Sequence, residues 1–288
     1  MGIYDNFLVV NKLTKFITGL LILLLFLGCR TGMPPGTEQG EFQNIEHALL
    51  EGKWDLVMTY SEKLLTGEPD NVIVRYLLSI AYYMNRKYEL QEEQYPWVLK
   101  DQQSMEAIVV WCENLVQRFP QNYYAHFVLG SAYPIRDEGG KAIETYKKAI
   151  EINPNLADAY VGVGTIYLDD EQIDEAIEYF KRAVEANPTY VVAYLNLGSA
   201  YEYNDQIDEA IASYEKTVEI DPKIVRAYIS LGALYMGKGN RDKAIKAYQK
   251  VIELDPKGEL GIYAREEIKK AQTDSDKDTP DTKEKNEP

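Results

Sequence analysis

The sequence predicts an all-α protein, a solenoid of stacked antiparallel helix pairs closed by a capping helix, on three observations. Gly130, Gly164, Gly198 and Gly232 recur every 34 residues, and so do Pro154, Pro188, Pro222 and Pro256. Between these marks the apolar residues keep a helical period. Ile173, Ala176, Ile177, Phe180, Ala183 and Val184 fall on one face, and Glu175, Glu178, Lys181 and Arg182 take the other. Finally, Asn153-Pro154, Asn187-Pro188, Asp221-Pro222 and Asp255-Pro256 each join a turn former to a residue that cannot continue a helix. Each pair closes one helical hairpin and opens the next.

Composition narrows the function classes before any motif is weighed. An apolar share of 45% supports a sizeable core, and a formal charge of −15 repels nucleic acid and anionic headgroups. The two cysteines, Cys29 and Cys112, and the two histidines, His47 and His126, are too few for a disulfide framework or a zinc site. No cofactor and no small-molecule substrate is expected.

Residues 1–28 have the order of an export signal: Lys12 and Lys15, then an apolar run from Phe16 to Gly28. A helix of that length rises about 20 Å, short of the roughly 30 Å of a bilayer core. Leu25-Phe26-Leu27-Gly28-Cys29 resembles the lipobox of bacterial lipoproteins, with Phe26 and Leu27 departing from the usual Leu and small residue. The resemblance implies that Cys29 is the first mature residue and carries lipid. Several acyl chains would then hold the chain stably at a bacterial envelope membrane, the outer membrane facing the periplasm in a Gram-negative cell. An uncleaved signal anchor reaching back through Phe7 to Val10 is the alternative, and it places two lysines inside the span. Residues 29–40, with two prolines and three glycines, read as a flexible tether.

Residues 41–122 read as two divergent repeats. Phe42 to Leu50 pairs with Trp54 to Thr66, and Val72 to Met84 pairs with Met105 to Arg118. Pro69 to Pro120 spans 51 residues, so 17 extra residues fall mostly between the helices of the second pair, within 85–104. Four regular repeats follow at 123–156, 157–190, 191–224 and 225–258. In their frame lie Tyr133, Tyr167, Tyr201 and Tyr235, then Ala142, Ala176, Ala210 and Ala244, then Tyr146, Phe180, Tyr214 and Tyr248. A glycine inside a helix costs about 1 kcal/mol relative to alanine, so its recurrence at one phase implies close approach of a neighbouring helix. The aromatic positions are expected to fill the wedge between successive hairpins. Residues 259–271 read as a solvating cap, and 272–288, without a large apolar residue, as a disordered tail.

These positions resemble the tetratricopeptide repeat across 123–258. The resemblance implies a right-handed superhelix whose first helices line a concave groove that takes a protein segment, extended or helical. In the family frame the groove positions include Tyr124, Phe127 and Ser131, then Asp158, Val161, Thr165 and Asp169, then Asn196, Ser199 and Tyr203, and then Arg226. The family's clamp for a terminal carboxylate is matched at Asn196 and Arg226 but not at Val161, Thr165 or Ser230. Partner binding is therefore expected along Tyr124, Phe127, Ser131, Asn196, Ser199, Tyr203 and Arg226. Tyr95-Pro96-Trp97 in the insertion is a rival site, or else a cover for two helix ends.

No catalytic signature is present. Gly139-Gly140-Lys141 and Gly237-Lys238-Gly239-Asn240 lack the spacing of a phosphate loop, and pairs such as Asp169-Asp170 and Asp208-Glu209 suit helix starts. Repeats and cap occupy 41–271, so the expected function is a non-catalytic scaffold or assembly factor in the cell envelope. Pilotins for secretion channels and adaptors for cell-wall enzymes share this general look. An enzyme and a plain spacer are the competing readings.

Overall fold

The computed structural model describes residues 39–87, 90–91 and 93–278. The expected signal peptide, Cys29, the tether through residue 38 and the tail beyond 278 lie outside them. Among the described residues all regular structure is helical. The chain divides into two compact units, residues 1–153 and 154–288. The first holds α1 (Gln39–Leu50), α2 (Trp54–Gly67), α3 (Val72–Met84), a one-turn α4 (Tyr95–Val98), α5 (Gln102–Arg118), α6 (Tyr123–Ala132) and α7 (Gly139–Ile152). The second holds α8 (Ala157–Asp169), α9 (Ile173–Ala186), α10 (Val191–Tyr203), α11 (Ile207–Ile220), α12 (Val225–Gly237), α13 (Arg241–Leu254) and the cap α14 (Glu259–Asp278).

One turn geometry builds every hairpin. Gly52, Arg86, Asp137, Glu171, Asp205 and Gly239 all have positive φ, between 56° and 73°. Each ends the first helix of a pair, and the next amide reaches back to a carbonyl in the helix's last turn. Gln172 N to Tyr167 O (2.8 Å), Gln206 N to Tyr201 O (2.9 Å) and Asn240 N to Tyr235 O (2.8 Å) are the examples in the second unit. This is the six-to-one bond of a Schellman motif, which satisfies carbonyls the helix leaves open. The turns between hairpins use side chains instead. Asn187 Oδ1 accepts from Thr189 N (3.1 Å), and Asp221 Oδ1 accepts from Lys223 N (3.0 Å), across the prolines that stop the helices.

The recurring glycines are approached closely by the second helix of their own hairpin, through its aromatic ring. An added Cβ at Gly164 would lie 2.6 Å from the Phe180 ring, and at Gly198 it would lie 2.8 Å from the Tyr214 ring. Gly130 and Gly232 stand against Tyr146 and Tyr248 in the same way. Each aromatic ring thus sits on the glycine of its own hairpin, 16 residues earlier, and Tyr248 also meets Tyr263 of the following helix at 6.3 Å. The missing Cβ is the socket that admits the ring. At the same two positions the first repeat carries Ile45 and Ser61, both fully buried. Large and small have changed places.

The first unit departs from a regular stack. Helix α1 packs on its hairpin partner α2 and also reaches α5 and α6. Phe42 meets Trp111 edge to face at 5.8 Å, Arg118 makes a two-pronged pair with Glu46 at 2.6 and 2.7 Å, and Asn122 donates to Leu50 O at 2.8 Å. The insertion between α3 and α5 supplies the chain length for this arrangement, with α4 packed on α3 and Val98 buried. At the other end α14 runs on to Asp278, past the boundary at 271 where a disordered tail was expected. No helix breaker occurs before Pro280, and the residue ahead of a proline disfavours helix.

Candidate functional site

The first helix of each hairpin carries the expected binding face, and the two units treat it differently. In the first unit that face of α6 is already in use. Tyr124 stands edge-on to Trp54 at 5.3 Å with its ring over Gly52, and Phe127 is 4% exposed with its ring 5.9 Å from Tyr146. Ser131 donates to Val128 O (2.9 Å), and its hydroxyl lies 2.8 Å from that of Tyr76. Tyr76 itself donates to Val128 O at 2.6 Å. Tyr124, Phe127 and Ser131 are therefore packing residues rather than an open groove. The first hairpin's turn and second-helix start cover Tyr124, Tyr146 of its own hairpin packs on Phe127, and Tyr76 of the second repeat engages Ser131.

In the second unit the same face is open. Helices α8, α10, α12 and α14 place Val161, Leu195, Ile229 and Tyr263 at one repeat position, an apolar row that grows more exposed toward the cap. Tyr203 at the end of α10 is 72% exposed. Asn196 is half-buried, and Arg226 is exposed at the start of α12. Neither side chain has a hydrogen-bond or ion-pair partner among the described residues. Ser199 lies 3.1 Å from the Tyr214 hydroxyl, which donates to Glu202 at 3.0 Å, so this serine serves partly to seat the ring below it. Burial pushes the Tyr214 hydroxyl above its ordinary range. Asp158 is likewise engaged, accepting from the Tyr190 hydroxyl at 2.5 Å.

In the insertion Trp97 is 37% exposed. Arg75 stacks over Trp97 at 4.1 Å and donates to Gln94 at 3.1 Å and to Pro69 O at 2.6 Å, so Trp97 covers α3 with one face. Cys112 is fully buried, and its thiol is held well above the ordinary range by desolvation. Among the described residues no group of three His, Cys, Asp or Glu could hold a metal ion.

A set of contacts between neighbouring hairpins escaped sequence reasoning. Tyr82 donates to Glu62 (2.8 Å) and Tyr133 to Glu113 (3.2 Å) in the first unit, and Tyr235 donates to Glu215 in the second. Each tyrosine follows its glutamate by 20 residues, and that offset was the available signal. Desolvation, and then the adjacent carboxylate, push the hydroxyls of Tyr82 and Tyr133 up to about 12.

Helical hairpins of fixed length, each with its glycine socket, left-handed turn and proline stop, define a class of helical-repeat proteins. Residues 155–223 and 225–257 match models described as tetratricopeptide repeat, and residues 138–170 match one described as TPR repeat. A crystal structure of MamA is 32% identical, with a TM-score of 0.50, over 54% of this chain and 90% of that one. A second MamA structure is 31% identical with a TM-score of 0.48, over 57% of this chain and 91% of that one. YrrB, titled a TPR protein with an unusual peptide-binding site, is 20% identical with a TM-score of 0.48, over 72% of this chain and 97% of its own. No curated protein matches. The chain belongs to the tetratricopeptide-repeat family.

Proposed function

We propose that this chain is a non-catalytic scaffold that binds a segment of a partner protein on the first-helix face of its second unit, and that lipid on Cys29 holds it at a bacterial envelope membrane. The observation that carries the binding site is the open row of α8, α10, α12 and α14. Tyr203 is exposed there, and Asn196 and Arg226 have no partner of their own among the described residues. Aromatic and arginine side chains most often dominate interface energies, and an unpaired amide selects for backbone groups of an extended or helical peptide. Relative to the sequence reading, the site loses Tyr124, Phe127 and Ser131 and gains Leu195, Ile229 and Tyr263. Pilotin-like assembly of a secretion channel and recruitment of cell-wall enzymes are the two roles that fit a tethered scaffold.

Two measurements test this reading. The partner is captured from an envelope extract with the mature chain, and its affinity is then measured by calorimetry for Asn196→Ala with Tyr203→Ala. A loss of more than about 2 kcal/mol with helicity intact is expected. Unchanged affinity removes the site from this face. For the anchor, Cys29→Ser should leave a precursor that is neither cut nor labelled by fatty acid, and continued labelling of the variant refutes it.

A further inference from the structure

The repeats of the second unit differ sharply in charge. Residues 157–224 carry fifteen Asp and Glu against four Lys and Arg, whereas residues 225–258 carry three against seven. The reversal falls on matched positions of the second helices. Glu175 on α9 and Glu209 on α11 are exposed and have no partner among the described residues, and the same repeat position on α13 is Lys243. Glu178 on α9, which pairs with Arg182 at 4.0 Å, corresponds to Lys246 on α13, which is exposed and has no partner among the described residues. Lys243 and Lys246 stand at i and i+3, on one face of the helix, with the Lys243 ammonium 4.8 Å from the centre of the Tyr235 ring, while Lys250 on the next turn pairs with Glu253 at 2.5 Å. Beside these lysines the end of the stack leaves Leu254, Leu260, Ile262 and Tyr263 between 37% and 50% exposed. A solvating cap ordinarily lacks such a group.

We propose that the C-terminal hairpin and cap dock onto the acidic repeats of a second copy of this chain, in a head-to-tail contact. Lys243 and Lys246 meet Glu175 and Glu209 of the other copy, and Leu260 is covered. The chain itself is the occupant argued by complementarity. Lys243 and Lys246 stand on a helix of the same repeat shape at the positions that Glu175 and Glu178 hold on α9, with opposite sign. A contact between unlike faces leaves each copy with one free donor face and one free acceptor face, so association continues into rings or filaments.

The test uses the full chain in a non-ionic detergent that masks residues 16–28, with sedimentation velocity as the readout. In about 10 mM salt the wild type should form a concentration-dependent series that dissolves near 1 M, as the screening length falls from about 30 Å to about 3 Å. Lys243→Glu with Lys246→Glu should weaken association more than about tenfold, and so should Glu175→Lys with Glu209→Lys. Mixing the two variants should restore a dimer, because each keeps the face that the other has lost. Circular dichroism confirms that both remain folded. A monomeric wild type at low salt, association that survives both variants, or a mixture that stays monomeric each overturns the proposal.

Discussion

Gly198 and Tyr214 behave as one feature, because the ring occupies the volume that a Cβ would take. Alanine is favoured over glycine inside a helix by about 1 kcal/mol, yet Gly198→Ala should destabilise by about 1 to 3 kcal/mol through overpacking. In a Tyr214→Ala background the same substitution should become neutral or stabilising. Denaturant midpoints for the four corners of this cycle measure the coupling. Glu171 holds a left-handed conformation at φ 59° without being glycine, so Glu171→Gly should raise stability by up to about 1 kcal/mol. Ser61 is fully buried with no hydrogen-bond partner for its hydroxyl. Ser61→Ala should therefore stabilise by about 1 kcal/mol, and a lowered thermal midpoint would count against that placement.

At the scale of helices, the tyrosine and glutamate clasps between hairpins make a statement about pH. A tyrosine raised to about 12 in the folded state and near 10 unfolded contributes stability that is complete below pH 10. That contribution is lost as pH climbs through 12. Unfolding followed by circular dichroism should thus set in between about pH 10 and 12, together with tyrosinate absorbance, and Tyr82→Phe with Tyr133→Phe should blunt the onset. Phe42→Ala should cost about 3 to 5 kcal/mol, since a fully buried ring against Trp111 helps hold α1 to α5. The helices themselves were legible from period and punctuation: Val72 to Met84 was read with its observed bounds, and Trp54 to Thr66 within one residue. The packing of α1 was not, because nothing local to Phe42 or Trp111 records that an insertion of 17 residues lets them meet. The same non-local packing hid the fate of Tyr124. Asn196, Tyr203 and Arg226 were readable from repeat position alone, since only the regular frame decides where they stand.

Across the whole molecule, most of the net negative charge falls in two adjacent repeats, where fifteen Asp and Glu stand against four Lys and Arg, and unbalanced like charges repel. The thermal midpoint should rise as sodium chloride is raised from about 10 mM to about 0.5 M, with the gain levelling off as the screening length shrinks. A midpoint indifferent to salt would mean that the local lysine pairs, such as Lys216 with Glu219 at 2.9 Å, already offset the repulsion. The glycine socket has a last consequence, for descent. Repeats three to six share one pairing of glycine with an aromatic ring, so a duplication or unequal crossover that exchanges their helices returns a matched hairpin each time. The first repeat is excluded from that traffic. Joining its α1 to α9 would set Ile45 against Phe180, and joining α8 to α2 would leave Gly164 facing Ser61, one hybrid overfilled and the other hollow. Inheritance of the first hairpin has to be as a whole, and the four regular ones are free to be shuffled and multiplied.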